Sequence, residues 1–203
     1  MPPMRSIVST FAALLLLCSC AGVDRPMAAT GSSAPVRVLF IGNSYTLYNG
    51  TLPKVLNDMA AEAGVALEAR GSLRSGKSLE WHYKDGKARA AIARGGWDYV
   101  VVQDHSRQTI DHPDQFQHYA QRFDQEIRKI GARTVFFMTW ARQHQPQKQA
   151  IITMAYEQSA GKAGALLAPV GLAWQRVRSD RPDLPLYFDD QSHPTPAGTS
   201  LAA

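Results

Sequence analysis

Val36-Arg37-Val38-Leu39-Phe40-Ile41-Gly42-Asn43-Ser44-Tyr45-Thr46 joins an apolar run to a glycine turn and then to a serine. Apart from Arg37, Val36 to Ile41 is apolar throughout, as in a strand buried on both faces of a parallel sheet. Gly42 allows a tight turn after it, and Ser44 then starts the following segment with its hydroxyl exposed and its own amide turned into the cleft. In an open parallel sheet, ligands bind at such a position, just beyond the carboxyl end of a strand.

Outward from this segment, strand and helix patterns alternate. Pro53 opens a helix on which Val55, Leu56, Met59, Ala60 and Ala63 recur at helical spacing, and Gly64 stops it. Val65 to Ala69 reads as a weaker strand, followed by a Gly/Ser-rich turn from Gly71 to Ser78 and two short helical pieces, Leu79 to Tyr83 and Lys87 to Arg94. Tyr99 to Val102 is a second strong strand. Phe116, Tyr119, Phe123, Ile127 and Ile130 then share one helix face. Thr134 to Met138 reads as a strand, Pro146 to Lys162 as a long helix and Ala165 to Val170 as the last strand. This alternation predicts an α/β fold, a three-layer αβα sandwich around a mostly parallel sheet of five strands. Right-handed crossovers favour a flavodoxin-like winding for it.

Near the other end of the chain stands Asp190-Gln191-Ser192-His193-Pro194. Asp190 and His193, pinned by Pro194 and Pro196, can set a carboxylate against one ring nitrogen while the other faces outward. A serine hydroxyl becomes a competent nucleophile when an imidazole takes its proton and a carboxylate orients that imidazole. Ser44, His193 and Asp190 are therefore candidates for a catalytic triad, provided the fold brings the two ends together.

At 203 residues the chain is long enough for one sizeable core. Its first 20 residues read as a signal peptide: Met1 to Arg5 is short and basic, and Ile7 to Leu17 is an apolar run of h-region length. Leu17-Cys18-Ser19-Cys20 resembles a bacterial lipobox, which predicts lipidation of Cys20 and a membrane anchor in the cell envelope. A plain secretory signal cut nearby is the alternative. Residues 21–35, rich in Ala, Ser, Gly and Pro, read as a tether ahead of a domain over 36–203. Cys18 leaves with the signal, so no intramolecular disulfide is expected to support the domain. The net charge of +5 is spread among interleaved acids and bases, which argues against a nucleic-acid site.

Taken in order, the blocks resemble the SGNH/GDSL hydrolases over nearly all of Val36 to Ala203. Gly42-Asn43-Ser44 stands for the family's first block, with Asn43 where Asp is commoner. Ser75-Gly76-Lys77-Ser78-Leu79 resembles the second, and Asp190 to His193 matches the fourth. The third departs: Gln103-Asp104-His105-Ser106 stands where Gly-x-Asn-Asp is expected. Trp81-His82, Met138 to Arg142 and Gly171 to Trp174 further resemble a largely uncharacterised bacterial subgroup. The resemblance implies a cofactor-free serine esterase with Ser44 as nucleophile, His193 as base and Asp190 as its orienting acid. It implies an oxyanion hole built from the amides of Ser44 and Gly76 and the side chain of Gln103, with His105 as the competitor for that third place. By analogy within the family, the substrate would be an O-acyl, chiefly O-acetyl, ester on carbohydrate or glycoconjugate. Family members usually continue past the His-Pro block with a covering helix. Here that helix has barely begun at Thr199 to Ala203, which leads us to expect an uncovered apolar face and a gain in stability on extension.

Two rival readings come from the same residues. Gly71-Ser72-Leu73-Arg74-Ser75-Gly76-Lys77-Ser78 satisfies the P-loop pattern, with Lys77 for outer phosphates and Ser78 for magnesium. The export signal, the short helix after the loop and the unexplained Ser44 and Asp190/His193 weigh against it. The altered third block motivates a binding lipoprotein that keeps the fold without the activity. His82, His112, His118 and His144 are dispersed without metal-ligand spacing. Trp81, Trp140 and Trp174 read as core residues, one or two of which could line a sugar platform.

Overall fold

The computed structural model describes residues 34–203. The signal peptide, the Cys20 lipobox and all of the tether but Ala34 and Pro35 lie outside the described residues. The first segment forms strand β1 (Val36–Gly42), and Ser44 opens a short helix, α1 (Ser44–Leu47). Pro53 lies in the first turn of α2 (Leu52–Glu62), where its missing N–H costs nothing. Strand β2 (Leu67–Leu73) is longer than its apolar content predicts. It takes in Gly71-Ser72-Leu73 because β1 supplies a parallel partner for each of them, ending with Gly42 opposite Leu73. Two short helices, α3 (Leu79–Asp85) and α4 (Lys87–Ala93), lead into β3 (Tyr99–Val102).

Beyond β3 lie the short helix α5 (Gln108–Asp111), the long α6 (Pro113–Lys129) and β4 (Arg133–Phe137). The long helix expected from Pro146 begins as a 3-10 turn, Pro146–Lys148, and continues as α7 (Gln149–Ala163). The last strand is shorter than expected: β5 covers Leu166–Ala168, and Val170 already belongs to α8 (Val170–Asp180). Pro169 ends the strand, since it cannot donate to a ladder and fixes its own φ. Helix α9 (Pro196–Ala202) closes the chain, capped by Thr195 Oγ1 accepting the Gly198 N–H at 3.2 Å.

All five strands pair in parallel in the order β2-β1-β3-β4-β5, the flavodoxin-like winding. Alternation along β1 divides the core. Leu39 and Ile41 join Val100, Val102 and Phe136 under α3, α4, α6 and α7. Val38 and Phe40 join Val101 and Phe137 on the opposite face, under α2, α8 and α9. Trp140 and Trp174, 1% and 0% exposed, stack in this second core with centroids 3.9 Å apart, so neither lines a sugar platform. Helix α9 packs so closely here that a Cβ on Gly198 would lie 2.5 Å from the Leu186 carbonyl oxygen and 2.8 Å from Trp174. Trp174 and Leu186 are buried beneath it, so the apolar face expected to be open is covered at these residues.

Candidate active site

The winding reverses between β1 and β3, and Ser44 and Gln103 stand at the carboxyl ends of those two strands. Asn43 is the N-cap of α1, its Oδ1 accepting the Tyr45 N–H at 3.2 Å. From the opposite end of the chain, His193 reaches Ser44: Nε2 lies 2.9 Å from Oγ. The other ring nitrogen, Nδ1, bonds Asp190 Oδ2, while Asp190 Oδ1 accepts the N–H groups of Ser192 and His193 at 2.9 Å each. Burial pushes the Asp190 carboxyl up, but these hydrogen bonds outweigh it and hold the group below the usual carboxylate range. The structure thus brings Ser44, His193 and Asp190 into one hydrogen-bonded chain.

Aromatic rings hold the histidine. Tyr48 stacks on the imidazole with centroids 4.3 Å apart and planes 7° off parallel, and Tyr45 meets it edge-on at 5.8 Å. Tyr45 stacks in turn on Trp140 at 4.3 Å, and its hydroxyl lies 2.8 Å from Ser192 Oγ. Trp140 Nε1 donates to the Ser192 carbonyl at 3.0 Å. None of these contacts could be read from the sequence, because each joins residues about 50 to 150 positions apart; the hint was Tyr45 and Tyr48 next to the serine and Trp140 within Met138 to Arg142.

The second-block loop is tied to the first. The Arg74 N–H donates to the Gly42 carbonyl at 3.0 Å, and Asn43 Nδ2 donates to the Lys77 carbonyl at 3.1 Å. His82 Nε2 lies 2.9 Å from the Gly42 oxygen; burial lowers the pKa of this histidine, so its neutral ring donates there. Gly76 adopts φ +70°, the left-handed region that glycine enters without penalty, on an exposed turn of this loop. The P-loop reading is corrected by the same geometry. Gly71 to Leu73 are strand residues, so the loop is too short to wrap a phosphate, and Lys77 Nζ lies over the Trp81 ring, 5.4 Å from its centroid.

Gln103 also needs correction. Its side chain is 0% exposed; Oε1 accepts the Asn43 N–H at 3.0 Å and the Thr46 hydroxyl at 3.3 Å. Its Nε2 donates to Asn43 Oδ1 at 3.0 Å and to the Asp104 carbonyl. Both amide hydrogens are spent inside the protein, so this side chain locks the serine loop and has none left for an oxyanion. Gly42 belongs to the same lock, since a Cβ there would lie 2.6 Å from Gln103 Oε1. His105 remains. Its Nδ1 accepts the Arg107 N–H at 3.4 Å, and burial, followed by the charges of Arg142 and Arg107, lowers its pKa. The neutral ring therefore carries its proton on Nε2. Among the described residues no group of three or more His, Cys, Asp or Glu side chains is placed to hold a metal ion.

No protein-family model matches the sequence, and no curated protein does. Solved structures do. One, a protein from Slackia heliotrinireducens assigned to the SGNH hydrolases, is 29% identical with a TM-score of 0.71, over 83% of this chain and 95% of that one. Over most of its length the chain is thus similar in sequence and fold to the SGNH/GDSL hydrolases. The same SGNH fold recurs in the psychrotrophic esterase EstA from Pseudoalteromonas sp., at 15% identity and TM-score 0.64 over 82% of this chain and 92% of that one. It recurs again in the acetyl-xylooligosaccharide esterase Axe2 of Geobacillus, at 16% identity and TM-score 0.63 over 83% and 90%. These likenesses support a serine hydrolase acting on esters.

Proposed function

We propose that this chain is a cell-envelope esterase that removes O-acyl groups, O-acetyl above all, from carbohydrate or glycoconjugate through a Ser44-His193-Asp190 triad. The observation that carries the reading is the unbroken chain from Ser44 Oγ through His193 to Asp190. His193 Nε2 takes the Ser44 proton as Oγ attacks the ester carbonyl carbon. The N–H groups of Ser44 and Gly76, with the Nε2–H of His105, donate to the oxyanion that forms on the carbonyl oxygen. When the tetrahedral intermediate collapses, the C–O bond to the alcohol breaks and His193 returns the proton to that alcohol. Water then attacks the acyl-Ser44 carbonyl with His193 as base, which releases the carboxylic acid and restores the serine. Asp190 fixes the imidazole tautomer and stabilises the imidazolium without taking the proton itself.

The acetyl-xylooligosaccharide specificity in the name of the Geobacillus relative supports the carbohydrate side of the proposal. The intact triad speaks against a binding protein without activity. Export and anchoring through Cys20 complete the reading, and globomycin-sensitive processing that disappears in Cys20→Ala would test them. A fluorophosphonate probe should label the purified domain at Ser44 and fail on Ser44→Ala. Acetate release from acetylated glycans, compared with long-chain aryl esters, tests the substrate; activity on long acyl chains alone would sink the carbohydrate preference. His105→Ala should lower kcat about a hundredfold to a thousandfold if its ring is an oxyanion donor.

A further inference from the structure

We propose that a groove along the edge strand β2 binds a run of an acidic polysaccharide, so that the ester group is carried on a polyanionic glycan. The proposal rests on the esterase reading and narrows its substrate class. Strand β2 stands at one edge of the sheet. Two cavities, of about 480 and about 350 Å³, open between it and helices α3 and α4. Ser72 and Lys87 line both, so the two adjoin as one groove. The larger is lined by small residues, Gly71 and Ser72 on the strand and Ala90 and Ala91 on α4, which leaves it open. The other reaches the serine loop. Arg74 and His82 line it, and both bond the Gly42 carbonyl, the Arg74 N–H at 3.0 Å and His82 Nε2 at 2.9 Å. Gly42 precedes Ser44 by two residues, so their Cα atoms are no more than about 8 Å apart.

Charge and shape give the class of ligand. Arg37, Arg70, Arg74, Lys87 and Arg94 line the groove against a single acid, Asp85. These cations lie apart in the sequence and gather only through the fold. Glu68 pairs with Arg37 at 3.6 Å and with Arg70, whereas Arg74, Lys87 and Arg94 are exposed and have no carboxylate partner among the described residues. Arg37 is set in place by its stacking over Trp97, 4.8 Å from the ring centroid, and Gly96 leaves the space its guanidinium fills. A concave row of cations focuses a positive field, and guanidinium forks fit carboxylates spaced along a chain. Trp81 adds a flat apolar surface at the end next to the serine loop. It is half-buried, while the other three of the four tryptophans are buried, and Lys77 Nζ stands 5.4 Å from its ring centroid. An indole beside cations suits a sugar ring that lays its apolar face on the one and its carboxylate on the others. A flat anionic bilayer would meet the rims of such a groove and not its lining, which favours a flexible chain over a lipid surface.

Polygalacturonate, which carries no ester, reads the groove without turnover on the Ser44→Ala domain. In calorimetry at low salt it should bind about tenfold more tightly than neutral arabinoxylan, the summed worth of several exposed ion pairs. That margin should shrink as salt rises and should be lost in the Lys87→Glu/Arg94→Glu double variant. Binding should also change the tryptophan fluorescence, and most of that change should be lost in Trp81→Phe. In turnover of acetylated polygalacturonate, the double variant should raise KM rather than lower kcat, as expected when binding remote from the reacting bond is removed. If polygalacturonate binds in this way but no ester is hydrolysed, the esterase reading fails and the groove stands as a binding site. Equal affinity for the two polymers, affinity untouched by the double variant, or binding of phosphatidylglycerol vesicles in place of polygalacturonate would overturn the proposal. So would a kcat/KM on acetylated polygalacturonate no higher than on acetylated arabinoxylan. Should the double variant not fold, Lys87→Gln and Arg94→Gln singly, with the salt series, decide.

Discussion

Asn43 works through both ends of one amide: Nδ2 donates to the Lys77 carbonyl, and Oδ1 accepts from Tyr45 N–H and Gln103 Nε2. An aspartate, commoner at this place in the family, would set a carboxylate oxygen against the Lys77 carbonyl with no proton between them, which is why the amide suits this chain. Gln103 completes the lock. Gln103→Leu would leave the Asn43 N–H and the Asp104 carbonyl without their side-chain partner, and should cost about 1–3 kcal/mol of stability in urea unfolding. A large loss of kcat with no loss of stability would instead restore Gln103 as an oxyanion donor. Tyr48 acts on His193 in another way. A ring stacked face to face holds the imidazole in the orientation that reaches Ser44. Tyr48→Leu should therefore lower kcat several-fold at unchanged KM, whereas Tyr48→Phe, which keeps the stacked ring, should not.

Helix α3 depends on a residue just beyond the end of β3. Ser78 Oγ accepts the Trp81 N–H at 3.3 Å, and Asp104 Oδ1 accepts the Leu79 N–H at 2.8 Å, so two of the helix's free donors are satisfied. Burial raises the Asp104 carboxyl to about 7, and the amides of Leu79 and His105 offset only part of that. A carboxyl raised on folding means that the native state binds more protons than the unfolded chain above the unfolded value of about 4. Its contribution to stability is therefore greatest below that value and is lost as pH rises through about 7. Asp104→Asn keeps an acceptor for both amides but cannot ionise. Thermal melts should show the variant more stable than wild type at pH 8, with the difference shrinking steadily toward pH 4. An unchanged difference across that range would mean that the carboxyl titrates normally. The sequence marked Asp104 only as part of an aberrant third block, because its value as a cap exists only once β3 and α3 are adjacent.

Across the whole molecule, the parallel sheet makes a site from residues 149 positions apart. Asn49 fastens the two ends independently of the catalytic contact: its Nδ2 donates to the Pro194 carbonyl at 2.8 Å and to Thr199 Oγ1 at 2.7 Å, from a left-handed backbone with φ +54° that asparagine tolerates. Asn49→Ala should lower the unfolding free energy by about 1–3 kcal/mol and, by loosening the His193 loop, reduce kcat as well. Catalysis that stays at wild-type level would show that the aromatic rings alone hold the loop. The winding, β1 and β3, the helix face on α6 and the residues Ser44, Asp190 and His193 were legible in the sequence because local pattern and motif order carry them. The extra length of β2, the early start of α8 and the seating of α9 on Trp174 were not, because each is set by a partner element. By itself the sequence determined a parallel α/β sandwich with a serine at one strand end and an Asp-x-x-His near its terminus, since hydrophobic period and glycine turns act over a few residues. Only the tertiary structure decided that Gln103 locks the serine loop, because hydrogen-bond satisfaction depends on which distant groups burial brings together.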